Sequence, residues 1–171
     1  MLYIFDLDGT LVETYGIRPL DGIPVRLAKL QAEGHVMAVA TNQAGPAWGL
    51  ATGDGKYPQP RELGERFREI AKVLPQLATI PWFVSVGDPR LSLDTSAYTQ
   101  LIRAFQAAGE PLDLHLSADP RWRKPGPEML RAACAYYELP PEQAVFVGDY
   151  ETDAAAAAAA GVTYISIEQF L

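Results

Sequence analysis

The chain has 171 residues, 49% of them hydrophobic and 20% charged, which suits one compact domain and excludes collagen, coiled coil and wholesale disorder. No apolar run approaches the roughly 20 residues that span a bilayer, and an early aspartate without a basic segment before it argues against a signal peptide, so we expect a soluble cytoplasmic protein. The single cysteine, Cys134, excludes an internal disulfide and a multi-cysteine zinc site, and the net charge of −7 disfavours tight, sequence-independent binding to nucleic acid.

Short apolar runs, each ending at a polar residue or a glycine turn, recur along the whole chain. Runs of this kind are typical of strands buried on both faces of a parallel sheet. The predicted strands are Leu2–Phe5, Val36–Ala40, Trp82–Val86, Leu112–Leu116, Ala144–Val147 and Val162–Ile167.

Segments with helical spacing of apolar residues lie between these strands. They are Ile23–Glu33, Arg61–Leu74, Thr95–Ala108, Pro127–Glu138 and the alanine run Ala154–Ala160. Alternating strands and helices predict an α/β fold with a doubly wound, Rossmann-like parallel sheet in three layers.

The segment Asn42–Pro60 departs from this alternation. It holds four glycines and three prolines and is longer than most connections, so we expect an irregular loop over Gly45–Pro60 that faces the substrate. No linker divides the chain, and residues 1–171 are predicted to form one domain.

Polar residues follow several predicted strands directly. In an open parallel sheet, ligands bind beyond the carboxyl ends of the strands, so these side chains are expected to converge at one edge. They are Asp6 and Asp8, Thr41 and Asn42, Asp149 and Asp153, with Lys124 a short loop after the fourth strand. Clustered carboxylates repel one another unless a cation neutralises them, and a purely oxygen ligand set favours Mg²⁺.

This inventory suits phosphoryl transfer. One ionised carboxylate attacks phosphorus, and a second, two residues on, protonates the departing oxygen and later deprotonates water. A metal ion, a lysine and hydroxyl or amide donors offset the charge of the transferring group. Gly9 and Thr10 permit a tight turn that aims backbone amides at an anion.

Four motifs resemble those of the haloacid dehalogenase-like (HAD-like) phosphohydrolases, and they stand in the order of that family. The first is Asp6-Leu7-Asp8-Gly9-Thr10 and the second Thr41-Asn42-Gln43. The third is Arg123-Lys124-Pro125, and the fourth runs from Gly148-Asp149 to Asp153. Together they span most of the chain.

The resemblance implies that Asp6 is the nucleophile and a metal ligand. It implies that Asp8 is the general acid and base and binds the metal through its backbone carbonyl. Thr41 and Lys124 would hold the phosphoryl group, with Asn42 assisting.

The resemblance further implies that Asp149 binds Mg²⁺ directly. Asp153 would bind the ion through water or steady Lys124, although capping of the alanine helix alone would also explain an aspartate there. Arg123 is open between a contact to the substrate phosphate and a solvated surface charge.

The Thr-Asn-Gln and Arg-Lys-Pro strings look most like the subgroup that holds histidinol-phosphate, heptose-bisphosphate and polynucleotide 3′-phosphatases. The zinc loop of several such enzymes is absent, because His115–Trp122 contains no cysteine. The short interval from Thr10 to Thr41 leaves no room for a helical cap, so we expect a capless or minimally capped enzyme.

Two tryptophans and one aspartate lie near the predicted site loops. Trp48 and Trp122 flank the predicted site loops and are open between stacking on a ligand ring and packing. Asp88, in Gly87-Asp88-Pro89, is interpreted as a turn residue, since Asp-Pro readily begins a turn.

The function predicted from these residues is a Mg²⁺-dependent phosphomonoesterase acting on a small phosphorylated metabolite or nucleotide. A polynucleotide 3′-phosphatase is the runner-up, favoured by the missing zinc loop and opposed by the net charge. An alternative of another class is a phosphate-binding module with the same fold and no turnover.

Overall fold

The computed structural model describes residues 1–171 and contains one sheet of six parallel strands. The strands are β1 (Leu2–Phe5), β2 (Val36–Asn42), β3 (Pro81–Ser85), β4 (Asp113–Ser117), β5 (Ala144–Gly148) and β6 (Thr163–Ser166). Their order across the sheet is β4-β3-β2-β1-β5-β6. The chain therefore builds outward from β1 to β4 and then returns to the other side of β1, which makes the gap between β1 and β5 the switch point where such sheets bind ligands.

Helices cover both faces of the sheet. They are α1 (Ile23–Ala32), α2 (Gly45–Thr52), α3 (Pro60–Val73), α4 (Thr95–Gly109), α5 (Glu128–Tyr136), α6 (Glu151–Ala160) and α7 (Ile167–Phe170). None of them combines the length and apolar character needed to cross a membrane.

Two apolar cores lie on opposite sides of the sheet, because successive strand residues alternate between its faces. In β1, Phe5 belongs to the larger core beneath α1, α3 and α4, whereas Ile4 belongs to the smaller core beneath α5 and α6. The larger core is filled by rings such as Phe67 and Trp82, whose centroids are 4.7 Å apart. The predicted three-layer, doubly wound α/β fold is thereby confirmed.

The expectation of an irregular segment over Gly45–Pro60 is wrong in its first half, where the chain forms α2. Three of the residues that suggested a loop, Gly45, Pro46 and Gly53, instead mark the ends of this helix. Pro46 stands in the first turn, where its missing N–H costs no hydrogen bond, and Gly53 ends the helix with φ of 69°, in the left-handed region. The interval from Thr10 to Thr41 holds no helix besides α1, as expected from its length.

Most other boundaries differ from the predictions by one to three residues, as β6 and α6 illustrate. The last strand is shorter than Val162–Ile167, because Ser166 caps α7 by accepting a hydrogen bond from the Gln169 N–H. Helix α6 begins at Glu151, before the predicted start at Ala154.

Candidate active site

The predicted site residues lie at the carboxyl ends of β1, β2 and β5, around the switch point of the sheet. Asp6 follows β1, Thr41 is the penultimate residue of β2, and Asp149 follows β5. Lys124 enters from the loop between β4 and α5. Sequence positions more than a hundred residues apart therefore meet at one edge, as the strand pattern predicts.

Lys124 lies between two buried carboxylates. Its Nζ is 2.6 Å from Oδ1 of Asp6 and 2.7 Å from Oδ1 of Asp153. The side chains of Lys124 and Asp153 are 3% and 1% exposed, so both charges are removed from water. Such a burial is tolerated only where opposite charges are paired and hydrogen-bonded, which is the arrangement here.

In this cluster, burial and ion pairing shift the pKa values of Asp6 and Lys124 in opposite directions. Burial raises the pKa of Asp6 to about 6, against the lowering effect of Lys124, and the neighbouring charge of Asp153 adds to the rise. Burial alone would lower the pKa of Lys124, but Asp6 and Asp153 together outweigh it and raise that pKa above its ordinary value. One lysine charge is therefore shared by two carboxylates, and the cluster retains an excess of negative charge.

Asp149 completes a group of three carboxylates. Oxygen atoms of Asp6, Asp149 and Asp153 lie within 4.8 Å of one another. Burial and the charge of Asp153 raise the pKa of Asp149, and Thr10 Oγ1 donates a hydrogen bond to its Oδ1 at 3.4 Å. A divalent cation would relieve the repulsion among these carboxylates, so the residues fit the predicted Mg²⁺.

Gly9 lets the first motif pass close beside Asp149. Its φ of 77° lies in the left-handed region, and a Cβ at this position would collide with Oδ2 of Asp149. The glycine is thus required both by its backbone conformation and by the nearness of the carboxylate.

Asp153 does more than begin the alanine helix. Its Oδ1 pairs with Lys124, while its Oδ2 accepts hydrogen bonds from the backbone N–H groups of Asp149 and Tyr150 at 3.2 and 3.1 Å. Because it stands in the first turn of α6, it caps the helix from inside rather than preceding it. These contacts fit both helix capping and the steadying of Lys124, and binding of the metal through water stays a prediction.

The carboxylate of Asp8 lies outside the group of three and faces a cleft. Its Oδ1 accepts hydrogen bonds from the Tyr15 N–H at 2.8 Å and from Nη2 of Arg66 at 2.5 Å. Its Oδ2 accepts from Nε2 of Gln43 at 2.9 Å. Asp8 would therefore bind a metal ion through its backbone carbonyl, as the resemblance implies.

The second motif contributes one hydroxyl and two amides. Gln43 Nε2 also donates to Oγ1 of the buried Thr41 at 3.0 Å, which leaves the hydroxyl proton of Thr41 free for an acceptor in the site. Asn42 exchanges two hydrogen bonds with the backbone of Lys124, at 3.0 and 3.1 Å. Asn42 thus positions Lys124, and its contact with a phosphoryl group stays a prediction.

A cleft of about 900 Å³ opens beside Asp8. Helix α2 and the residues after it form one wall, with Trp48 and Tyr57 stacked at 6.2 Å between ring centroids. Arg66 and Arg123 line the cleft as well, and a contact of Arg123 with a substrate phosphate stays a prediction. Trp48 is thereby placed at the cleft.

Trp122 does not reach the cleft. It packs against Phe83 and the smaller core, with ring centroids 6.2 Å apart, so the packing reading holds for this tryptophan.

Asp88 forms the predicted turn and also has a second role that the sequence did not indicate. Its carboxylate accepts hydrogen bonds from Arg90 Nη2 at 2.6 Å and from Trp48 Nε1 at 3.1 Å, and Arg123 Nη2 lies 3.6 Å away. These bonds, led by that of Arg90, hold the pKa of Asp88 well below its ordinary value. The buried carboxylate therefore fixes the wall of the cleft, and Gly87-Asp88-Pro89 was the signal that could have suggested it.

Comparison with known proteins supports the same class. A family model described as HAD-hydrolase-like matches residues 121–169, the segment with the third and fourth motifs. No curated protein sequence matches the chain.

Two solved structures share the fold. D,D-heptose 1,7-bisphosphate phosphatase from B. bronchiseptica, complexed with magnesium and phosphate, is 22% identical, with a TM-score of 0.54 over 95% of this chain and 78% of the other. A protein from Mesorhizobium loti assigned as a HAD-like phosphatase is 20% identical, with a TM-score of 0.52 over 94% of this chain and 68% of the other. The family model supports the resemblance at the third and fourth motifs, and the two structures show that the chain has the fold of the HAD-like hydrolases.

Proposed function

We propose that this chain is a Mg²⁺-dependent phosphomonoester hydrolase that works through a phospho-Asp6 intermediate. The observation that carries the proposal is the pair of carboxylates two residues apart in different surroundings. Asp6 is buried against Lys124 at 2.6 Å, and Asp8 faces the cleft with its own set of donors. A nucleophile and an acid–base group need such separate environments.

In the first step, a carboxylate oxygen of Asp6 attacks phosphorus, and the bond from phosphorus to the ester oxygen breaks. Lys124 already binds Oδ1 of Asp6, which leaves Oδ2 for the attack. Asp8, in its protonated form, gives a proton to the departing oxygen, so that an alcohol leaves rather than an alkoxide.

In the second step, water attacks the phosphorus of phospho-Asp6. Asp8, now a carboxylate, accepts a proton from that water, the bond from phosphorus to the Asp6 oxygen breaks, and inorganic phosphate is released. The hydroxyl of Thr41 and the ammonium of Lys124 stabilise the oxygens of the transferring group.

Asp6 and Asp149 would hold Mg²⁺ directly, with the backbone carbonyl of Asp8 as a further ligand and Asp153 acting through water or through Lys124. When bound, the ion neutralises negative charge on the carboxylates and on the phosphoryl group.

The substrate we propose is a small phosphorylated metabolite or nucleotide. A cleft of about 900 Å³ beside Asp8 suits a leaving group of that size. The net charge of −7 weighs against the polynucleotide 3′-phosphatase, because a polyanion would be repelled by the protein as a whole.

The experiment is phosphate release from a panel of sugar phosphates, nucleotides and a 3′-phosphorylated oligonucleotide, with Mg²⁺ or with EDTA. Asp6→Asn serves as the blank, and Asp21→Asn, at an exposed aspartate before α1, serves as the matched control. We expect release that requires Mg²⁺, persists in Asp21→Asn and is absent in Asp6→Asn.

Release at the wild-type rate by Asp6→Asn would overturn the nucleophile. The oligonucleotide as best substrate, with an affinity that falls steeply with salt, would favour the runner-up. No release from any compound would move the assignment to the binding module without turnover.

A further inference from the structure

Arg66 is a residue that no motif of the sequence includes, yet it makes the most extensive contact with Asp8. It stands on α3, 58 positions away along the chain. Its Nη2 lies 2.5 Å from Oδ1 of Asp8, and its Nη1 lies 3.4 Å from Oδ2, so the guanidinium addresses both carboxylate oxygens. The two side chains are only 12% and 18% exposed, which limits the screening of this pair by solvent.

The guanidinium is itself fixed by the chain that follows the first motif. Nε and Nη2 of Arg66 donate to the backbone carbonyl of Gly16 at 3.0 and 2.8 Å. That carbonyl belongs to the residue after Tyr15, whose N–H donates to the same Oδ1 of Asp8. The guanidinium is therefore held between two acceptors, the carbonyl of Gly16 and the carboxylate of Asp8.

Packing on α3 holds the base of the side chain. Leu63, Phe67 and Ile70 form the buried face of the helix, and Arg66 stands at the edge of that face, one turn after Leu63. The helix thus presents Arg66 towards the cleft from a rigid element, which places a side chain more accurately than a loop does.

We propose that Arg66 is a positioning residue that holds the Asp8 carboxylate in the orientation from which it exchanges a proton with the leaving group and with water. The inference rests on the proposed function, in which Asp8 is the acid and base. Its physical basis is the bidentate fork of arginine, which fixes a carboxylate in both distance and plane, whereas a lysine would fix distance alone. Gln43 supports the same carboxylate from its other oxygen at 2.9 Å.

The test compares Arg66→Met with Arg68→Met, since Arg68 is an exposed arginine on the same helix. Two esters are used as probes: a primary alkyl phosphate, whose leaving oxygen needs a proton, and 4-nitrophenyl phosphate, whose leaving group departs without one. The quantity measured is kcat/KM, which reports the first chemical step for each ester.

We expect Arg66→Met to lower kcat/KM for the alkyl phosphate by about a hundredfold and for 4-nitrophenyl phosphate by less than about fivefold, because only the former depends on a well-placed acid. Arg68→Met should change neither. Equal losses with both esters would overturn the proposal, since they would indicate a role in binding or folding, and so would no loss with either.

Arg66→Lys guards against a variant that fails to fold. It keeps the charge and loses the bidentate fork. We expect its kcat/KM to fall more for the alkyl phosphate than for 4-nitrophenyl phosphate, by a smaller factor than in Arg66→Met, with a circular dichroism spectrum like that of the wild type. Equal losses in this variant would also count against the positioning role. A wild type that releases phosphate from neither ester would overturn the proposed function itself, and that result differs from a wild type that is active and an Arg66→Met variant that loses both esters alike.

Discussion

Replacing Lys124 by methionine removes the cation between the carboxylates of Asp6 and Asp153 while keeping most of the length of the side chain. Lys124 is 3% exposed and lies 2.6 and 2.7 Å from the two acids, so the variant leaves two buried carboxylates without this partner. Removal of one member of a buried ion pair costs about 3–5 kcal/mol. Uptake of a proton by Asp6, whose pKa is already raised to about 6, offsets part of the loss. We therefore expect a decrease of about 3 kcal/mol in the free energy of unfolding without metal.

The assay is urea unfolding at neutral pH, in EDTA and then with saturating Mg²⁺. Lys72→Met is the control, because Lys72 is 63% exposed and pairs with Glu69 on the surface, where such a pair contributes at most about 1 kcal/mol. Mg²⁺ should stabilise Lys124→Met by more than it stabilises the wild type, since the ion supplies positive charge that the variant lacks. Turnover should be lost in the variant at any Mg²⁺ concentration.

Two results would refute this reasoning about the cluster. One is a loss below about 1 kcal/mol for Lys124→Met in EDTA, which is the size expected of a surface pair. The other is an equal stabilisation by Mg²⁺ in variant and wild type, since it would mean that the ion and the lysine do not act on the same carboxylates.

Three more predictions concern neighbouring residues. In EDTA, the raised pKa of Asp6 means that the folded state binds more protons than the unfolded state between pH 3.8 and about 6, so this residue's contribution to stability falls as pH rises through that window. Urea unfolding across that range should show the fall in the wild type and not in Asp6→Asn. Gly9→Ala should weaken Mg²⁺ binding, measured by calorimetry, by about tenfold or more, because its Cβ collides with Asp149. Asp88→Asn should raise KM with little change in kcat and lower the free energy of unfolding by about 1 kcal/mol, since it weakens the hydrogen bonds that fix the cleft wall.

Each of these has a control or a contrary outcome. Gly34→Ala shares the left-handed φ of Gly9, at 76°, but its Cβ meets nothing within 4 Å, so it should leave Mg²⁺ affinity unchanged. The same slope of stability with pH in Asp6→Asn and wild type would contradict the assignment of that slope to Asp6. A fall in kcat for Asp88→Asn as large as the rise in KM would place the residue in the chemical step instead.

The fold and the cluster of three acids were open to prediction because their signals are local. An apolar run followed by an aspartate, as at Phe5-Asp6, predicts a buried strand and places the aspartate at the carboxyl edge of the sheet. Since all parallel strands end at the same edge, Asp6 and Asp149 could be brought together without knowledge of the packing.

Helix α2 was missed because its sequence uses helix-ending residues as its boundaries. Gly45, Pro46 and Gly53 have low helix propensity, yet the proline occupies the first turn and the last glycine lies beyond the final one. Between them, Ala47 is buried in the larger core, and Trp48 stacks on Tyr57 and donates to Asp88. Tertiary contacts, rather than helix propensity, determine the conformation of this segment.

Arg66 and Asp88 could not be assigned because their roles depend on where long side chains meet. The periodicity of α3 predicts a buried face through Leu63 and Phe67 and places Arg66 at its edge, but not the direction of the guanidinium. The turn at Asp88 was predicted. The hydrogen bond from Trp48 was not, because Trp48 lies on α2, which the sequence did not predict.

The contrast between Asp6 and Asp8 shows how one short motif places two identical side chains in different surroundings. Leu7, between them, is fully buried, and the turn at Gly9 directs the chain away from the sheet, so the two carboxylates meet different partners. Asp6 meets a buried lysine and two further acids, whereas Asp8 meets an arginine, an amide and a backbone N–H from three separate segments. The motif supplies two identical side chains, and the distant segments α3 and the end of β2 make them different. Substitutions at Arg66 should therefore alter the chemistry of Asp8 without altering the buried cluster of Asp6, and substitutions at Lys124 should alter the cluster first.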